Sequence, residues 1–307
     1  MTLPAGHAFR AVAPDDLDAI VEVLAGVLEA DFIRSEWTGA AFDPERDAWV
    51  VTDPAGTVIG YGLAVLEGPG VVESWGAVHP DRRGQGIGAA LLERIERRAA
   101  EHLAGTPDGT FRHVIDAGDE AAAGLVRARG LRLVRTFRHM QLDLDGPVDT
   151  GAPPAGLEIV PVDAGRDLRM VHDVLQRAFA EHWGHFDEPF ERWVADVTAS
   201  PGYDPSLWLL AREGDKPAGI LVAEVLDGQG WIADLGVLAP WRGRGLGSAL
   251  LRRAFQAFWA RGLREVMLNV DGQNATGATV LYERVGMRIV RHWDVYERAG
   301  GAAAAAA

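Results

Sequence analysis

The chain has no cysteine. That excludes disulfides, thiolate metal sites and a cysteine nucleophile. Lysine is almost missing as well: Lys216 stands alone, and arginine carries nearly all the positive charge. No apolar run approaches the ~18 residues that a membrane span needs. The opening stretch MTLPAGHAF lacks a basic region and an apolar signal core, so a cytoplasmic protein is expected. Positive charge is not in excess either. A net charge of -14 argues against broad nucleic-acid binding and is compatible with a cationic substrate. What remains is ample: 307 residues, 48% hydrophobic and 24% charged, suit two globular cores.

The most informative stretch is VLAPWRGRGLGSALLRRAF, residues 237–255. An apolar run enters it at Trp231. A turn with Arg242, Gly243, Arg244, Gly245 and Gly247 follows, spaced R-x-x-G-x-G. A helix with Leu246, Leu250, Leu251 and Phe255 on one face leaves it. The first N–H groups of a helix have no partner inside it, and the helix dipole adds positive potential there. Strand, glycine turn and helix therefore form a phosphate-binding layout, here around Ser248 and its neighbours. The same pattern occurs earlier in VHPDRRGQGIGAALL, with Val78, Arg83, Gly84, Gly86 and Gly88. The copies lie about one domain length apart, as expected of a tandem repeat.

Each copy sits in a similar series of strands and helices. The expected N-terminal domain spans 1–144, with a first strand at 7–12 and a helix from Pro14 that includes Val27 and Leu28. Residues 131–144 read as paired strands. A Pro- and Gly-rich linker is expected at 145–156, a second domain at 157–299 and a tail at 300–307. Strands at 264–270 and 289–296 are expected to complete the second sheet.

This assembly, with Asn274 and Tyr282 in LYERVGM after the second loop, resembles the GNAT superfamily of acyl-CoA N-acyltransferases. The tandem layout is similar to that of its mycothiol-synthase-type members, whose halves are unequal. The resemblance implies an α/β protein of two GNAT-type domains, each a mixed, mostly antiparallel sheet flanked by helices. It implies acetyl-CoA as cosubstrate, no metal, and transfer of an acetyl group to a small-molecule primary amine. A thiol-sugar precursor amine and a non-catalytic acyl-CoA sensor are the alternatives. It implies backbone contacts to the CoA arm from Leu235, Gly236, Val237 and Leu238, phosphate contacts from the loop, and an arm contact from Asn274. Tyr282 takes the place of the acid that protonates the departing thiolate, and Trp241 would lie beside the phosphates or on the surface.

The base is less clear. Trp231 stands where many family members carry a glutamate. Asp234 and Glu224 are the remaining carboxylates of the central strands, and simple alternation puts Asp234 on the face of Ile232. In the first copy, Val126 falls opposite Tyr282 and no tyrosine lies in 111–132, so that domain is expected not to turn over. The stretch AEHWGHFDEPFERW, residues 180–193, is dense in aromatic and ionisable groups. His182, Trp183, His185 and Phe186 are candidate acceptor-site residues, with Asp187, Glu188, Phe190 and Trp193 beside them. They equally suit helix packing, and the H-x-x-H pair lacks further metal ligands. No nucleic-acid or membrane partner is expected, and the protein is expected to be a monomer or homodimer.

Overall fold

The computed structural model describes residues 2–24, 30–39, 42–274 and 277–300. Val27, Leu28 and the tail from 301 lie outside the described residues. Along the first half come β1 (Ala8–Ala11), α1 (Leu17–Leu24), α2 (Ala30–Glu36), α3 (Pro44–Asp47), β2 (Ala48–Thr52), β3 (Val58–Gly68), β4 (Val71–Val78), α4 (Ile87–His102), β5 (Thr110–Asp116), α5 (Glu120–Ala128) and β6 (Arg132–Asp143). The second half follows with β7 (Glu158–Pro161), α6 (Leu168–Phe179), α7 (Phe190–Ala199), β8 (Leu209–Glu213), β9 (Lys216–Leu226), β10 (Gln229–Val237), α8 (Leu246–Ala260), β11 (Glu265–Asp271), α9 (Ala278–Arg284) and β12 (Arg288–Ala299). Among the described residues, no helix is long and apolar enough to cross a membrane.

The compact units are not the two halves of the sequence. One comprises residues 1–136 with 292–307, the other residues 137–291. In the first unit the strands run β1-β2-β3-β4-β5-β12. In the second they run β6-β11-β10-β9-β8-β7. Each unit thus takes its sixth strand from the other half of the chain. Residues 131–144 hold one strand rather than a pair: β6 runs antiparallel to β11, from Phe137 opposite Asp271 to Asp143 opposite Glu265. The last strand does not complete the second sheet. It pairs with β5, Trp293 opposite Asp116 to Ala299 opposite Thr110. The residues 145–156 belong to the second unit, where the Val148 N–H donates to Gln256 Oε1 at 2.7 Å.

Helical spacing of apolar residues builds both cores. In the first unit, Ile87, Leu91 and Ile95 of α4 bury against Val51, Ile59, Phe111 and Tyr296, while Ile20, Ile33, Val50, Tyr61 and Leu63 pack a separate cluster. In the second, Leu246, Leu250, Leu251, Phe255 and Phe258 of α8 bury against Leu221, Ala223, Ile232 and Val266. Close helix–sheet approach explains Gly230: a Cβ there would lie 2.7 Å from the Phe258 ring. Burial of a side chain like Phe258 contributes about 1.5–3 kcal/mol.

Candidate active site

The second unit's site is built on β10. This antiparallel partner of β9 carries a bulge at Ala233: Trp231 lies opposite Glu224 and Ile232 opposite Ala223, but Asp234 lies opposite Val222. The extra residue reverses the side-chain alternation. Asp234 therefore leaves the face of Ile232, where simple alternation puts it, and joins Trp231 and Glu224. That is the face covered by α6, since a Cβ on Gly236 would lie 2.8 Å from the Ala178 Cβ. Ile232 stays on the α8 side and is 3% exposed.

Beyond the bulge, β10 parts from β11. Their parallel pairing runs through Gly230–Val266 and Trp231–Met267. The Leu238 N–H donates to the Ala218 carbonyl at 3.0 Å, toward β9. By the alternation of antiparallel bonding, Gly236 is oriented the same way, and Leu235 and Val237 turn their backbone groups to the β11 side. Of the four expected arm contacts, the geometry therefore favours these two and turns Gly236 and Leu238 away.

The glycine loop closes the end of this gap. Gly243 and Gly245 have φ of +72° and +81°, and no atom lies within 4 Å of where a Cβ would stand. Gly245 caps α8 in this left-handed conformation, which glycine adopts without penalty. Gly247 has a different reason: a Cβ would come within 2.9 Å of Leu281 Cδ2 on α9. It permits close packing of α8 on α9 beside Tyr282. Arg242 is tied to the scaffold, its Nε donating to the Val237 carbonyl at 2.9 Å and its Nη2 to the Ala178 carbonyl at 3.3 Å. Arg244 reaches the Ala155 carbonyl at 3.0 Å and Glu213 at 3.4 Å. Ser248 lies half-buried in the first turn of α8. Trp241, next to the loop, is not on the surface; it packs in the second unit's core.

The titratable groups converge on the α6 face. Burial, then the charges of Glu224 and Glu188, push the Asp234 carboxyl up to about 6. Burial also raises Glu224, opposed by a hydrogen bond donated by the Ser200 hydroxyl. Tyr282 is buried on α9; burial and then the Asp234 charge raise its phenol, which stays protonated at neutral pH. Glu188, which stands beside the aromatic candidates in the sequence, acts on Asp234 through its charge. Its carbonyl accepts from His172 Nε2 at 2.8 Å, its N–H donates to Gln176 Oε1 at 3.4 Å, and its carboxylate lies 3.4 Å from Arg192 Nε.

The aromatic stretch divides. Phe190 and Trp193 belong to α7, and Trp193 packs on Trp208 at 6.1 Å in the core. His182 sits against Phe179 at 4.8 Å and meets the Asn274 side chain, Nδ2 to Nε2, at 3.0 Å. Trp183 packs near Phe137 at 6.3 Å, His185 lies 3.8 Å from Asp187, and Arg192 lies over the Phe186 ring at 5.7 Å. Among the described residues, no group of three or more His, Asp or Glu could hold a metal.

The first unit repeats the loop but not the constellation. Gly84 and Gly86 have φ of +75° and +81°, and Gly86 caps α4 as Gly245 caps α8. A Cβ on Gly88 would touch Val78 and Leu125 at ordinary contact distances. The Arg83 Nε donates to the Val78 carbonyl at 3.5 Å, and its guanidinium pairs with Asp119 at 3.4 Å. The register of β3 and β4 is unbroken from Glu73 to Val78, and β4 still pairs with β5 at Trp75–Val114. Helix α5 ends as α9 does: the Leu131 N–H donates to the Val126 carbonyl at 3.2 Å, and the Met287 N–H to the Tyr282 carbonyl at 3.0 Å. Val126 thus holds the place of Tyr282.

Known proteins carry the same pattern. The acetyltransferase (GNAT) family model matches residues 168–287, and a second GNAT acetyltransferase domain model matches residues 44–130. A mycothiol acetyltransferase of Beutenbergia cavernae is 38% identical over 256 residues, 77% of this chain and 78% of its own. One of Clavibacter michiganensis is 34% identical over 282 residues, 87% and 89% of the two chains. A solved GCN5-related N-acetyltransferase from Sphaerobacter thermophilus superposes with a TM-score of 0.83 at 30% identity, covering 97% of each chain. A tandem GNAT protein from the clavulanic acid biosynthesis pathway shares the fold, with a TM-score of 0.72 at 20% identity over 97% of this chain and 99% of its own. With two family matches in one chain and these relatives along most of its length, the protein belongs to the GNAT acetyltransferases as a tandem member.

Proposed function

We propose that the second unit acetylates the free amine of the cysteinyl-glucosaminyl-inositol precursor of mycothiol. The similarity to mycothiol acetyltransferases along most of the chain carries this proposal, and it narrows the broader expectation of an unspecified primary amine. The site chemistry agrees with an α-amine. Such a group has a pKa near 7.7–8.0, so a carboxylate of about 6 accepts its proton at a cost of about 2–3 kcal/mol. An alkyl amine near 10.4 raises that cost to about 6 kcal/mol.

When bound, acetyl-CoA supplies its acetyl group activated as a thioester. The open cradle at Gly243 and Gly245 and the parting of β10 from β11 fit its phosphates and its arm. Leu235 and Val237 offer backbone groups to the arm, and Asn274 offers its carboxamide. Asp234 takes a proton from the acceptor amine. Glu224 and Glu188 add negative potential that draws the amine in as an ammonium and keeps Asp234 basic. Tyr282 donates a proton to the departing sulfur. The first unit lacks a counterpart of Tyr282 and the parting of its central strand, so it does not turn over; its Gly84–Gly86 loop is a candidate anion cradle. Of the two units, the first is discontinuous in sequence and the second, which carries the site, is continuous.

Acceptor competition tests the assignment. The cysteinyl precursor is expected to show kcat/KM at least about 10³-fold above simple alkyl amines, beyond what one hydrophobic contact supplies. Equal values for both would remove the mycothiol assignment while leaving acetyl transfer intact.

A further inference from the structure

A chain of contacts spans the mouth of the gap between β10 and β11. Arg242 ties the end of β10 to the end of α6 through the Val237 and Ala178 carbonyls. The chain then turns: the His182 N–H donates to the Phe179 carbonyl at 2.7 Å, and the His182 ring stands edge-on to Phe179 at 4.8 Å. Phe179 itself lies against β10, with Cε2 3.5 Å from where a Gly236 Cβ would stand. From the other side, the Asn274 N–H donates to the Asp271 carbonyl at 3.1 Å, at the end of β11. His182 and Asn274 meet at 3.0 Å, each fixed through its own backbone to a different edge of the gap.

We propose that His182 is a positioning residue for the acyl carrier, because its Nε2 selects which end of the Asn274 carboxamide is presented to the CoA arm. This rests on Asn274 as an arm contact in the function proposed above. A carboxamide has a donor end and an acceptor end. An unprotonated Nε2 accepts, so it engages the Asn274 NH₂ and turns Oδ1 away from the ring. A doubly protonated ring has no acceptor; it would take Oδ1 instead and present the NH₂ to the arm. Protonation of one histidine therefore exchanges an acceptor for a donor at the arm.

The groups around His182 hold its ring neutral at neutral pH, the state in which Nε2 can accept. Burial lowers its pKa most. Asp271, from β11, opposes that, while His185 from the same turn and Arg242 from the glycine loop reinforce it. Affinity for CoA is thus expected to fall on acidification in a way that traces to this ring.

Calorimetric titration of CoA into the full chain, between about pH 8 and about pH 5, provides the test. His182→Phe is expected to weaken CoA at the alkaline end by about fivefold, the size of one hydrogen bond. His182→Gln, whose side-chain oxygen accepts at every pH, is expected to restore much of that affinity and to remove the acid weakening seen in the natural chain. Comparing variants cancels any titration of CoA itself, and far-ultraviolet circular dichroism verifies that each is folded. CoA affinity unchanged in His182→Phe but reduced in Asn274→Ala would overturn the positioning role alone. An acid weakening retained in His182→Gln would overturn it too. Unchanged affinity in Asn274→Ala would overturn the arm contact on which the proposal rests.

Discussion

Asp234→Asn removes the proposed base while preserving shape, and its effect can be worked out from the site. Burial and two neighbouring carboxylates bring Asp234 to about 6. At neutral pH it is mostly ionised; one pH unit below its midpoint only about a tenth remains so, and the rate falls about tenfold per further unit. The natural enzyme is therefore expected to show an acid limb in kcat with a midpoint near 6. Asn offers no base, so kcat at neutral pH should drop by ~10²–10⁴, or about 3–5 kcal/mol of barrier. The limb should disappear with it. Loss of thioester absorbance is the suitable readout, because the proposed acceptor carries its own thiol. Glu224→Gln supplies the internal check: it deletes the charge that, after burial, raises Asp234 most, so the limb should move to lower pH. An Asp234→Asn enzyme with an unaltered acid limb would refute the assignment.

Other substitutions probe separate steps. Tyr282→Phe should lower kcat about 10²-fold with CoA affinity preserved, measured by steady-state kinetics beside calorimetry; full activity would remove Tyr282 as the acid. Gly247→Ala pushes a Cβ toward Leu281, next to Tyr282, so kcat should fall severalfold while CoA affinity changes little; a pure loss of CoA binding would contradict the packing role. Glu73 in the first unit is pushed up to about 8 by burial first and by Glu67 and Glu36 next, opposed by Arg112. Its folded form holds a proton more tightly than the unfolded chain, so its stabilising contribution is full below about 4.5 and is lost as pH rises through about 8. Glu73→Gln should therefore gain stability over the natural chain toward pH 8, by roughly 1–2 kcal/mol or about 3–6 °C in Tm after allowance for solvent screening. A Tm difference constant from pH 5 to pH 8 would sink that reasoning. Finally, residues 137–291 expressed alone should unfold more cooperatively than residues 157–299, which lack β6; the reverse order would deny the strand exchange.

Much of this was legible in the sequence because it is local. R-x-x-G-x-G between an apolar strand and an amphipathic helix specifies a turn that needs positive φ at Gly245 and Gly86, and both have it. Tyr282 and Val126 are comparable because each precedes a helix end closed by a glycine, Gly286 and Gly130. Two features escaped because they depend on non-local pairing. Strand β12 carries Tyr296, whose ring is 1% exposed in the first unit's core, and β6 carries Met140, fully buried in the second. Either strand has the pattern to lie beside either sheet, so which one it joins follows from tertiary contacts. The bulge at Ala233 is the other. WIADLGV alternates as any half-buried strand does, and no residue in it marks an inserted position.

That single inserted residue separates the two units more sharply than their loops do. A phosphate cradle needs only glycines and a helix N-terminus, and both units possess those. Proton transfer needs a carboxylate and a phenol on one face of a parted strand. In the second unit the bulge turns Asp234 to the α6 side while β10 leaves β11 after Trp231. In the first, an unbroken register leaves Trp75 packed on Tyr61 at 5.1 Å, with β4 still paired to β5 at that position. Restoring a tyrosine at Val126 alone should therefore leave the first unit inactive: the phenol would return to a site that lacks the opened strand.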